Sequence, residues 1–177
     1  GPGGSSSAEG PPAPAWGRVL VFAIGSLGDT VLSVPALVAL RDHVGPHATV
    51  TLLHNHSPDD RVSPTAVIPP GLVDEVVTFR SPGAGPTATV RRLAGLVALV
   101  PRLRRMRFDA VVNLALSDRS ARSLRQDRVF YRACGIPALV GLEPEVPGRP
   151  EAEVRLARLA RAGVPAVYTG DSDVFSS

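Results

Sequence analysis

The chain has 177 residues, 44% of them apolar, which is enough for one domain with a sizeable core; aromatics are only 5%, so that core rests on Val, Leu and Ala. All 19 basic residues are Arg, and a net charge of +3 is too small by itself to argue for nucleic acid. A single cysteine, Cys134, excludes an intramolecular disulfide and a cysteine-built metal site and suits a reducing compartment.

Residues 1–16 are rich in Gly, Ser and Pro, without the basic start or apolar stretch of a secretory signal, and read as a disordered lead. A first strand is predicted over Arg18–Ile24, continuous enough in apolar residues to be covered on both faces. It runs into the turn Gly25-Ser26-Leu27-Gly28-Asp29. A helix follows over Thr30–His43, with Val31, Val34, Leu37, Val38 and Leu40 inward; Pro35 within it marks a kink or a late true start, and Gly45-Pro46 ends it. Ala48–Leu53 is a second strand. His54–Pro70 is irregular, a long loop carrying His54, His56, Asp59 and Asp60. Leu72–Phe79 is a third strand, and Ser81–Pro86 a loop.

Helical spacing of Val90, Leu93, Leu96, Val97, Val100 and Leu103 covers Thr87–Met106, with Pro101 predicting a kink or two helices. Phe108–Leu116 is a buried strand, after which Ser117 or Asp118 caps a helix reaching Arg132. Ala138–Leu142 is a short strand, and Glu151–Ala162 is an Arg/Glu/Leu helix closed by Gly163. The alternation of strands and helices predicts an α/β fold with a Rossmann-like, doubly wound parallel sheet over residues 17–145. Residues 146–177 read as a linker and helix leading toward a further domain. No apolar run reaches the ~18–20 residues that cross a bilayer, and a cytoplasmic protein is the simplest expectation.

The Gly25–Asp29 turn is a poor dinucleotide fingerprint, because its glycines are wrongly spaced and its acid would repel a pyrophosphate. No nicotinamide, flavin or other cofactor is therefore expected there. Two readings of Asp29 stand side by side: a helix cap, or a general base taking a proton from an attacking hydroxyl. His54, His56, Asp59 and Asp60 lack a placed third ligand, so no metal is expected. Cys134 reads as a small core residue. The Arg91–Arg107 cluster reads as a charged outer face or as contact with an anionic membrane surface.

Val21–Leu40, with Gly28-Asp29 and Pro35-Ala36-Leu37, resembles the opening of glycosyltransferase family 9, which contains the ADP-heptose:lipopolysaccharide heptosyltransferases. Val73–Val76, the strand leading to Arg119-Ser120, and the helix over Glu151–Val164 follow in the family's order. Ala23 and Ile24 stand where many members carry a basic residue, which sets the expected acceptor apart from a phosphorylated lipid-A core. The resemblance implies the N-terminal half of a GT-B architecture and inverting, metal-independent transfer from a nucleotide sugar. It makes Asp29 the catalytic base and Gly25, Ser26, Gly28, Arg119, Ser120 and Arg122 the acceptor-binding residues. It implies a sugar-containing or lipid-linked acceptor, no nucleic acid, and a peripheral location at the inner face of the membrane. The nucleotide-sugar site is expected in a C-terminal domain or partner chain. The alternative is a non-catalytic Rossmann-like binding module.

Overall fold

Val19, Leu20, Val21 and Phe22 are all buried, as an unbroken apolar run must be when helices cover both faces of its sheet. The computed structural model describes residues 14–23, 27–56, 64–80, 88–145 and 148–166. The run forms β1 (Arg18–Ala23), the centre of a sheet with β2 (Thr49–His56), β3 (Glu75–Arg80), β4 (Ala110–Asn113) and β5 (Ala138–Val140). The strand order is β3-β2-β1-β4-β5 and every pairing is parallel. Register sets Leu20 between Thr51 and Val111.

Side chains alternate across the sheet and build two cores. Val19, Val21, Val50, Leu52 and Val112 meet α2 (Val34–Val44) and α5 (Glu151–Arg161) on one face. Leu20, Phe22, Leu53 and Val111 meet α3 (Ala88–Met106) and α4 (Ala121–Ala133) on the other. The result is the Rossmann-like, doubly wound α/β fold that the alternation predicts. The segment over Glu151–Arg161 does not hang from this body: Leu156, Leu159 and Val164 share the core of Leu37 and Leu40.

Local structure departs from the sequence expectations in several places. The helix expected over Thr30–His43 is two helices, α1 (Leu27–Val31) and α2. Pro35 falls in the first turn of α2, where a missing N–H leaves no bond unmade. This break rotates Val31 and Val38 outward, to 46% and 40% exposure, while Ala36, Leu37 and Leu40 bury. In contrast, Pro101 does not divide α3, which stays one helix of 19 residues. Within it Leu99 and Leu103 pack inward and Val97 is exposed.

Strand β2 continues to His56 through the start of the expected loop, and a 3-10 turn follows at Pro64–Val67. β3 begins at Glu75, β4 ends at Asn113 and β5 ends at Val140. The cap of α4 is Ser120, whose Oγ accepts from the Ser123 N–H at 3.2 Å; Ser117 and Asp118 precede the helix. Ile24, Gly25, Ser26, Asp59, Asp60, Ser81–Pro86 and the two chain ends lie outside the described residues.

Candidate functional site at the carboxyl edge of the sheet

The strand order reverses between β1 and β4: the chain builds β2 and β3 on one side of β1, then returns to build β4 and β5 on the other. In open α/β sheets the crevice beyond the carboxyl ends of such a strand pair is where ligands bind. The Gly28-Asp29 turn follows β1, and Ser117-Asp118-Arg119-Ser120 follows β4. The two motifs singled out in the sequence therefore flank one crevice.

Asp29 lies inside the short helix α1 and not at its start, which corrects the reading of it as a cap. It is half-buried. Its carbonyl accepts two bonds, from Ser33 Oγ at 2.9 Å and from Arg155 Nη1 at 2.7 Å. Arg155 Nη1 also donates to Ser33 Oγ at 3.0 Å. The junction of α1 and α2 is thus clamped by a side chain from the far end of the chain. Gly28 is exposed, and its carbonyl accepts from Leu32 N–H at 3.0 Å.

The clamp belongs to a polar stripe on α5. Arg155 is fully buried and Arg158 is 3% exposed. Burial lowers the Arg155 pKa, the Glu151 and Asp29 carboxylates raise it in return, and Arg158 lowers it further. Glu151, 3.9 Å from Arg155 Nε, accepts from both the backbone N–H and the hydroxyl of Ser117. Arg158 Nη1 donates to the carbonyls of Asn113 and Ala115 at 3.0 and 2.7 Å, and its Nε donates to Glu145 at 3.2 Å. Three residues at i, i+4 and i+7 therefore fasten the segments that follow β1, β4 and β5.

Asn113 closes this frame from below. Fully buried at the end of β4, it donates from Nδ2 to the Gly141 carbonyl at 2.9 Å and accepts from Ala115 N–H at 3.1 Å. Gly141 has φ +74°, and a Cβ there would stand 2.8 Å from the Asn113 carbonyl oxygen. Only glycine fits that approach.

The arginines after β4 differ in their surroundings. Arg119 pairs with Asp127, donates from Nη2 to Ser123 Oγ at 2.6 Å and lies 5.9 Å from the Phe22 ring centroid. It is thereby engaged by Ser123 and Asp127 of α4, and Ser120 is engaged as the cap of that helix. Arg122 is exposed. His54 is buried at the end of β2, beside Ala23 in register. Among the described residues no three His, Cys, Asp or Glu side chains form a group that could hold a metal ion. Cys134 is buried, and burial pushes its thiol up to about 11 against the nearby Arg104 charge, so it is no nucleophile at neutral pH. Arg102, Arg104 and Arg105 are exposed on α3. No described helix is long and apolar enough to cross a membrane.

Sequence reasoning missed Asn113, Gly141, Glu151, Arg155 and Arg158. The one available signal was the spacing of Glu151, Arg155 and Arg158, which reads as readily as a solvated helix face.

The sheet and its frame define a Rossmann-like, doubly wound α/β protein with a strand-order reversal between β1 and β4. No family model matches the chain and no curated protein matches it. Among solved structures, the chain is similar to a glycosyl transferase family 9 protein from Veillonella parvula DSM 2008, with a TM-score of 0.52 and 18% identity. The match covers 85% of this chain and 42% of that one, so the chain spans less than half the length of that protein. The glycotransferase of kitacinnamycin matches at TM-score 0.40 and 19% identity, over 89% of this chain and 43% of that one. An FMN-dependent Ubix-like decarboxylase from Escherichia coli O157:H7 matches at TM-score 0.38 and 21% identity, over 89% and 86%. At these identities the likeness to the Veillonella protein is one of fold.

Proposed function

We propose that this chain is the acceptor-binding half of a glycosyltransferase, with Asp29 as the base that takes the proton of an acceptor hydroxyl. In this reading transfer is inverting and metal-independent, from a nucleotide sugar held by a donor-binding half or partner chain, as in heptosyltransferases. The observation that carries it is the position of Gly28-Asp29 beyond β1 at the strand-order reversal, in a fold similar to that of the family 9 protein. A half-buried carboxylate at such an edge is the kind of group that can accept the proton of an attacking hydroxyl. Gly28 lies on the β1 side of the proposed acceptor cleft, and Arg119, Ser120 and Arg122 border it from the β4 side; Gly25 and Ser26, the other residues assigned to the acceptor, lie outside the described residues.

The test joins the chain to a donor-binding half and measures nucleoside diphosphate release from a panel of nucleotide sugars and acceptor glycans. Asp29→Asn is expected to lower turnover by about 10²-fold or more in a chain that still folds, as read from its amide NMR spectrum. Unchanged turnover would remove Asp29 from the reaction. Titration calorimetry of the chain alone with the same nucleotide sugars separates this reading from a non-catalytic binding module. Tight binding there would overturn the assignment of the donor to another half.

A further inference from the structure

The residues that follow β5 and the N-terminal half of α4 enclose a groove of about 380 Å³ that none of the sequence motifs touches. Its walls come from one face of α4, at Ala121, Leu124, Arg125 and Arg128, and from Leu142 and Pro144 beyond β5. The spacing i, i+3, i+4, i+7 explains why one helix supplies four of the six. Leu124 and Leu142 are 5% and 1% exposed and form an apolar floor. The rim is cationic. Arg125 has no hydrogen-bond or ion-pair partner among the described residues, and Arg128 reaches Glu143 only at 3.8 Å, with both side chains about half exposed. Glu145, the next acid along the chain, is already engaged by Arg158 and Arg161. Arg119, the arginine that the sequence pointed to, is engaged by Asp127.

We infer that this groove is a binding site for a small organic anion: a phosphate or carboxylate carried on an apolar ring or short chain. Guanidinium forks pair with tetrahedral or planar oxyanions in a bidentate manner, and two of them line this groove, with one carboxylate, Glu143, loosely held by Arg128. The floor removes the apolar part of the ligand from water. The volume is at the small end of ligand pockets, which run from about 300 to 1,000 Å³. The groove opens at the carboxyl edge of the sheet, on the β5 side of the crevice. Its assignment does not depend on the role of Asp29.

Amide NMR spectra of the chain titrated with phenyl phosphate test the site, with phenol and inorganic phosphate as the partial probes. Phenyl phosphate is expected to shift the amides of Ala121–Arg128 and Leu142–Glu143 in a saturable manner, and each partial probe to bind more weakly. Arg125→Gln and Arg128→Gln, both on the solvent side of α4, are expected to weaken it about tenfold each. Glu143→Gln removes the rival carboxylate and is expected to tighten it about twofold. Absence of saturable shifts, or shifts indifferent to all three substitutions, would overturn the site. Equal affinity for inorganic phosphate would overturn the part given to the apolar floor.

Discussion

Arg155 is a charge placed where a sequence reader expects none. Val154 and Leu156 flank it, and it lies in the core face of α5 with no exposed surface. Removing a guanidinium from water is costly, and its Nη1 bonds to the Asp29 carbonyl and Ser33, together with the Glu151 carboxylate 3.9 Å from Nε, offset part of that cost, while Nε and Nη2 are buried without a hydrogen bond among the described residues. Arg155→Met relieves the desolvation but removes one of the two donors to the Asp29 carbonyl and the donor to the Ser33 hydroxyl. The expected loss is about 1–3 kcal/mol in urea unfolding. The same variant is expected to raise amide exchange across Leu27–Val31 more than in β1, because the clamp acts on α1. Uniform exchange across the two elements would show that Arg155 stabilises the whole domain and not the junction.

Among the elements, α1 with α2 and α3 give opposite lessons about proline. At Pro35 the chain uses the missing N–H to begin a helix, and the break ahead of it sets Asp29 at the edge of the crevice. At Pro101 the helix continues past a residue that cannot complete its ladder. Pro101 is exposed, so no packing depends on its ring. Pro101→Ala is therefore expected to raise stability by about 1–3 kcal/mol, read from the thermal midpoint. A lowered midpoint would mean that α3 needs a bend at this place to seat Leu99 and Leu103.

The strands and their parallel order were legible in the sequence because apolar runs such as VLVF and AVV have one stable use in a sheet covered on both faces. The apolar runs also place the Gly28-Asp29 segment and the polar run after β4 at the same, carboxyl edge of the sheet. What escaped was set by distant contacts. The cap of α4 moved to Ser120 because Ser117 is taken by Glu151, 34 residues on. The frame of Asn113, Gly141 and Arg158 consists of bonds to backbone carbonyls, which leave no trace in a residue pattern. Arg125 and Arg128 look like any solvated helix face until Leu142 and Pro144 are folded against them.

Over the whole molecule the two ends of the sheet are stabilised by different means. At the amino edge, Asp74 accepts from Val50 N–H at 2.7 Å and from Arg41 Nη2 at 2.6 Å, while Arg41 Nη1 donates to the Ala48 carbonyl at 3.0 Å. Burial raises the Asp74 pKa, but the bonds from Arg41 and Val50 and the Arg41 charge outweigh it and hold the carboxyl below its usual range. A depressed carboxylate stabilises the fold above its unfolded value, near about 4, and loses that contribution as pH falls through the folded value. Because the side chain is 42% exposed, the contribution is discounted for solvent to about 0.5–1 kcal/mol. Asp74→Asn is expected to lower stability by that amount at pH 7 and to approach the parent chain as pH falls through the depressed folded value. A constant difference across the titration would assign the loss to geometry and not to charge.

The clamp from α5 also orders events in time. Asp29 and Arg155 are 126 residues apart, and synthesis at about 5–20 residues per second separates them by roughly 6–25 s. Through that interval β1 can pair with β2, and β2 with β3, but the junction of α1 and α2 lacks the Arg155 donor. The crevice is therefore completed last, although the turn that opens it is among the first parts made. A nascent chain would display a sheet before it could display a site.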